Sequence, residues 1–213
     1  MSTTPDSATR QSATSVAADD VDAGAGAAAG PDAAPDAVPD TIVVVPMRRR
    51  HLRGVMAIEE RTNHRPWSMG LFMGELRMPT SRSYVVALDG HEVAGFCGLM
   101  LTGDEGHITN IAVHPDRRRR AIAARMMLVT MRRAVEVGLS SITLEVRMSN
   151  TAAQELYRRF GFAPGGIRRN YYQDVGEDGL IMWAHDIDTD DYAERLTGIQ
   201  ATLPSPLRTE GVR

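Results

Sequence analysis

Four consecutive arginines, Arg117 to Arg120, follow a strand-like run, Ile111-Ala112-Val113, and a turn, His114-Pro115-Asp116, and open what reads as a helix. A strand feeding a helix through a basic turn collects the unpaired N–H groups of the first helical turn, and the positive end of the helix dipole, at one spot. Such a spot suits a pyrophosphate, and small residues such as Ala121, Ala123 and Ala124 let the backbone approach it. The same stretch also reads as a solvated arginine run on a surface helix, and composition does not choose between the two. In the strand Ser141 to Arg147, Ile142, Leu144 and Val146 alternate with Thr143, Glu145 and Arg147. Period-two alternation therefore puts the Glu145 carboxylate on a face with two polar neighbours. Histidines stand at 51, 64, 91, 107, 114 and 185 with no pair at metal-binding spacing, and Cys97 is the single cysteine. No metal is expected, and no internal disulfide is possible.

The elements that must position these residues follow from period and punctuation. Thr41–Val45 is a β-branched run closed by Pro46, and Arg48–Arg61 carries Leu52, Val55, Met56 and Ile58 at helical spacing. Ser68 can cap a second helix to about Met78. Arg82–Leu88 and Glu92–Leu101 read as a hairpin around Asp89-Gly90-His91, and His107–His114 as the next strand. A long amphipathic helix, Arg119–Val137, stops at Gly138. Strand Ser141–Arg147 leads to a helix capped by Asn150 or Thr151 that ends at Gly161, and strands Ile167–Asp174 and Leu180–Ile187 finish the pattern. The predicted order is β-α-α-β-β-β-α-β-α-β-β.

Residues 1–40 hold twelve Ala and seven Asp against one Arg, a composition that buries too little apolar surface to offset its ordering entropy. They are expected to form a disordered acidic tail, either passive or docking a basic partner. One domain is expected over 41–188, with 189–213 as a C-terminal tail that is short-helical or disordered. The net charge is −3, so the acidity belongs to the first forty residues. All 24 basic residues are arginine, as a GC-rich genome would give. Nothing resembles a signal peptide or a membrane span, and a cytoplasmic protein acting on neither membrane nor nucleic acid is expected.

The segment from Arg118 to Ala123 resembles the coenzyme A pyrophosphate loop of the GNAT acetyltransferases: Gln or Arg, two residues, Gly, one residue, Gly or Ala. Arg118 takes the first place, Ala123 the last, and Ala121 stands where the pattern has its first Gly. A Cβ there crowds the phosphates if the backbone needs glycine's freedom, and is harmless if φ is negative. Thr109–Val113, Leu144–Arg147, Ser149-Asn150, Leu156-Tyr157, Phe160–Phe162 and Ile167–Tyr172 extend the likeness to the RimI-type ribosomal-protein-alanine N-acetyltransferases, over about Val43 to Asp186. The resemblance implies an α/β (α+β) GNAT fold. Its sheet would be mixed, mostly antiparallel, of about seven strands with about four helices, splayed between the fourth and fifth strands.

It further implies acetyl-CoA as cosubstrate and an N-terminal α-amine as acceptor, with the alanine of a ribosomal protein leading. Other N-termini, a small amine such as an aminoglycoside or polyamine, and a weakly binding interaction module are the alternatives. By resemblance Glu145 is the general base, against a surface carboxylate paired with Arg147. Tyr157 is the general acid, against a packing residue. Asn150 contacts the pantetheine arm, caps a helix, or both. Backbone N–H groups at Ile111, Ala112 and Val113 polarise the thioester, while Arg118, Arg119, Arg120, Ala121, Ile122, Ala123 and Ala124 hold the phosphates. Pro66, Trp67, Arg168, Asn170, Tyr171 and Tyr172 line the acceptor groove, or serve the core and an edge strand.

Overall fold

The computed structural model describes residues 42–212, so the acidic segment 1–40 lies outside the described residues. The chain runs β1 Ile42–Pro46, α1 Leu52–Thr62, α2 Met69–Glu75, β2 Arg82–Asp89, β3 Glu92–Thr102, β4 Glu105–Val113, α3 Ile122–Glu136, β5 Ser141–Arg147, α4 Thr151–Arg159, β6 Ala163–Tyr172, β7 Glu177–Ala184, α5 Asp190–Ala201 and β8 Arg208–Thr209. Short 3-10 turns at Arg49–His51 and Pro115–Arg117 precede α1 and α3. The expected caps are in place. Ser68 Oγ accepts from Leu71 N (3.2 Å), and Asn150 Oδ1 accepts from Ala153 N (3.0 Å).

One sheet of eight strands carries the molecule, in the order β6-β7-β5-β4-β3-β2-β1-β8. Among the described residues, only β1–β8 and β4–β5 pair in parallel; all other neighbours are antiparallel. The β4–β5 ladder holds just three residue pairs, ending at His107 opposite Thr143, after which the strands part. On the other side, β4 stays paired with β3 through Val113. A bulge at Thr109 lets Ile108 and Ile111, three residues apart, enter the same core, which strict alternation forbids. That core lies beneath α3 and α4 and includes Ile122, Met126, Leu144, Leu156 and Phe160. A smaller one beneath α1 and α2 gathers Val55, Ile58, Phe72, Phe96 and Ala112. Since α1 lies on β3 and β4, the same face of β5 carrying Thr143, Glu145 and Arg147 forms the wall beside it.

Two expectations about extent change. The C-terminal segment 189–212 belongs to the fold: Thr189 caps α5, Tyr192, Leu196 and Ile199 are buried, and β8 adds an eighth strand beside β1. One anchor is Arg125, fully buried on α3, whose guanidinium donates to the carbonyls of Pro206 (3.0 Å) and Ser205 (3.1 Å) and to Ser205 Oγ (2.6 Å). Helix α3 begins at Ile122, because Arg119 (φ 61°) and Ala121 (φ 53°) are left-handed and cannot continue a right-handed helix.

Candidate active site

Glu145 stands on β5 just past the point where β4 and β5 separate, and its side chain is 2% exposed. Burying a carboxylate is costly unless it is paired. Here Oε1 lies 2.9 Å from Arg168 Nη1, reaching over from β6, and Oε2 lies 2.9 Å from His107 Nε2 on β4. Glu145 is therefore a buried carboxylate and not a surface one. Arg147 turns to Asp174 (3.9 Å) and to the ring of Tyr172, 5.0 Å from its centroid. The Arg168 guanidinium also lies 5.5 Å from the ring centroid of Tyr171. Glu145 thus holds a cation at the open end of the gap.

Tyr157, on α4, has no exposed surface, and its ring packs on Phe162 with centroids 5.9 Å apart. Its hydroxyl is buried without a hydrogen-bond partner. Burial, reinforced by Cys97 and Tyr172 nearby, raises its pKa well above the ordinary phenol value, so it holds its proton at neutral pH. Tyr172 is buried in the same way, with an unpartnered hydroxyl, and its pKa rises through burial and then through Tyr171 and Glu145. Tyr172 thus stands between Tyr157 and Glu145, raising the Tyr157 pKa while its own is raised by Glu145. Asn150 spends Oδ1 on the cap, leaving its buried Nδ2 without a partner, and Asn110 Nδ2 on β4 is likewise unpartnered. Unpartnered polar groups gathered inside a fold mark a place where water or a ligand can supply the missing bond.

The loop before α3 has the backbone an anion needs. Two left-handed residues, Arg119 and Ala121, flank Arg120, and no side chain caps the helix. Ala121 therefore occupies a conformation that favours glycine, which removes the harmless negative-φ alternative. The side chains of Ile122, Ala123 and Ala124 are buried in the core, as are those of Ile111, Ala112 and Val113, so all six can offer a ligand only their backbone. Arg120 is committed elsewhere: it pairs with Asp89 (2.5 Å), Arg117 pairs with Asp89 and with Glu92 (2.5 Å), and together they brace the loop on the β2–β3 hairpin. Arg119 is exposed at the tip and Arg118 half-buried.

The residues expected to line an acceptor groove divide between two places. Arg168, Tyr171 and Tyr172 cluster at Glu145, while Asn170 (φ 50°) bends β6 there, its N–H donating to Asp178 Oδ1 (2.7 Å). Pro66 is exposed, and Trp67 is half-buried against Phe72, 5.3 Å between ring centroids. The α1–α2 connection that carries them is shaped by Glu59, which sequence reasoning missed. Fully buried, it accepts from Asn63 Nδ2 (2.8 Å) and from Trp67 N (3.0 Å). A signal existed, since Glu59 sits between Ile58 and Thr62 on the inward face of α1. His107 was also missed as a partner of Glu145, a contact across a parallel ladder that leaves no local pattern. Among the described residues, no three His, Cys, Asp or Glu side chains group to hold a metal, and no helix is long and apolar enough to cross a membrane.

Comparison with known proteins agrees with this geometry. A model of the acetyltransferase (GNAT) family matches residues 50–162. The chain is 41% identical over 138 residues to a Bacillus subtilis (strain 168) protein named provisionally as the alanine N-acetyltransferase of ribosomal protein bS18, covering 64% of this chain and 91% of that one. It is 35% identical over 130 residues to the Escherichia coli (strain K12) ribosomal protein bS18-alanine N-acetyltransferase, covering 59% and 84%. The crystal structure of the Escherichia coli ribosomal-protein-S18-alanine N-acetyltransferase superposes with a TM-score of 0.63 at 29% identity, over 68% of this chain and 94% of that one. Sequence, fold and family model agree on one answer, and the chain belongs to the GNAT family as an acetyl-coenzyme A-dependent N-acetyltransferase.

Proposed function

We propose that this enzyme acetylates the N-terminal α-amine of a protein, with the N-terminal alanine of a ribosomal protein as its leading acceptor. One observation carries the reading: a buried carboxylate, Glu145, already paired with a cation at the mouth of the gap. An acceptor ammonium can take the place of the Arg168 guanidinium there. The relatives named for the alanine of ribosomal protein bS18 support the choice of acceptor.

The chain's own residues suffice for the chemistry. An α-amine has an ordinary pKa near 8, so about a tenth is neutral at pH 7 and the base has a modest task. Glu145 takes the ammonium proton, and the freed lone pair attacks the thioester carbon. N–H groups of Ile111 and Val113, which point away from β3 on the strand that has lost its β5 partner, are the donors for the carbonyl oxygen, whereas the register with β3 turns the Ala112 N–H toward Phe96. Tyr157 gives its proton to the departing thiolate. Asn150 Nδ2 and the α3 N-terminus with Arg118 and Arg119 hold the pantetheine and phosphate portions. Arg168, Asn170, Tyr171 and Tyr172 form one wall of the acceptor groove, and Pro66 and Trp67 the other.

The test is thiol release from acetyl-CoA with short peptides beginning in Ala, Ser or Met, or carrying only an internal Lys. Turnover is expected with the Ala peptide and should fall about 10²–10⁴-fold in Glu145→Gln. Turnover on small amines alone would reject the acceptor, and failure to bind coenzyme A would leave only an interaction module.

A further inference from the structure

The base assigned to Glu145 creates a problem that its surroundings answer. Each acetylation of an ammonium releases one proton, and a carboxylate 2% exposed has no direct route to water for it. The charged and titratable groups around it come from three strands. From β6, Arg168 lies on Oε1 with its side chain 53% exposed, but a guanidinium has no acceptor atom. Tyr172, at the end of the same strand, holds its own proton more firmly than an ordinary phenol. From β5, Arg147 shares the face and is turned to Asp174 and Tyr172. From β4 comes His107, Nε2 at 2.9 Å from Oε2, with a side chain 17% exposed; Glu105, two residues earlier, is exposed. Of its ion-pair partners Arg168 and His107, the imidazole can both accept and give a proton, and it reaches solvent. The fold puts it there because His107 forms the last ladder pair, opposite Thr143, before β4 and β5 part.

We propose that His107 is the proton exit of the site, a relay between Glu145 and water that resets the base in every cycle. This rests on the reading of Glu145 as base. In the resting pair, Nε2 carries the hydrogen and faces the carboxylate across 2.9 Å. Glu145 then takes one proton from the acceptor ammonium, and the imidazole tautomer carrying hydrogen on Nδ1 becomes the one that fits. Nε2 accepts the carboxylic proton, and the Nδ1 hydrogen leaves to water. That proton is the one the reaction releases overall. The second proton of the attacking nitrogen balances the one Tyr157 gives to sulfur as the C–S bond breaks and the C–N bond forms.

The experiment compares His107→Gln, His107→Ala and Glu145→Gln with the wild type on the Ala peptide, with folding checked by thermal melting. Glutamine keeps a hydrogen-bond donor for Glu145 but cannot relay. The expectation is a kcat lowered about 10–100-fold in both His107 variants. Both KM values should stay near wild type, the pH dependence of kcat should change, and added imidazole should restore His107→Ala in proportion to its concentration. Wild-type turnover in His107→Gln, with Glu145→Gln inactive, would overturn the relay while leaving the base intact. A loss in His107→Ala that imidazole does not restore but glutamine does would reduce His107 to a structural hydrogen bond and also overturn it. Wild-type turnover in Glu145→Gln would remove the base, and the relay with it.

Discussion

A buried hydroxyl with no partner costs about 1–3 kcal/mol, and Tyr157 carries one at the heart of the larger core. Packing alone would favour phenylalanine. Tyr157→Phe is therefore expected to leave the melting temperature unchanged or raise it, while turnover drops about 10²-fold or more. A variant that loses stability along with activity would mean that the hydroxyl serves the fold. How much could be read beforehand differs between the two side chains proposed as base and acid. The facing of Glu145 was legible, because strand alternation is local. Its burial, its cation and its contact with His107 were not, since they come from β6 and from a parallel neighbour far away in the chain.

At the scale of elements, the arginine loop is the revealing piece. Ala121 pays for its left-handed φ with about 1 kcal/mol, a strain that glycine would not carry. Ala121→Gly should raise the melting temperature by about 2–4 °C, as a scanning thermal melt would show, and leave KM for acetyl-CoA equal or lower. A fall in melting temperature would mean the local φ is not the strained one. The other element to test is the C-terminal strap. Replacing Arg125 by Leu strips three charge-assisted bonds from the 205–206 turn, and a loss of about 2–4 kcal/mol in denaturant unfolding is expected. Faster amide exchange at Glu210, whose N–H bonds to Val44 O, should accompany it. Most elements were legible because β-branched runs and side-chain caps announce them. Strand β8 was not: two residues carry no period, and what seats them is a lone arginine in an otherwise apolar stretch of α3. The start of α3 was misplaced for a related reason, since nothing in four arginines and an alanine announces positive φ.

For the whole molecule, burial has gathered weak acids inside. Tyr84, Tyr157, Tyr172 and Tyr192 all have pKa values raised chiefly by burial, and the Cys97 thiol is pushed up to about 12. Each keeps its proton in the fold beyond the pH at which the unfolded chain would release it. Their contribution is fully present below the unfolded values, about 9 to 10, and is lost as pH rises through the folded ones. Urea unfolding at stepped pH should show stability falling above about pH 10, by up to about 1.4 kcal/mol per pH unit for each group that ionises on unfolding. Phenolate absorbance should appear with unfolding; four phenolates in an intact fold would refute this account. The three-pair ladder between β4 and β5 has a last consequence at this scale. The sheet is two slabs, β8-β1-β2-β3-β4 and β5-β7-β6, joined along a seam that is mostly unstitched. Whatever lodges in the seam touches both slabs, so its binding energy becomes cohesion: a ligand at 100 times its Kd adds about 2.7 kcal/mol. With acetyl-CoA as the ligand proposed for the seam, the enzyme would be a tougher object when loaded than when spent, and a cell short of acetyl-CoA would hold a softer population of it.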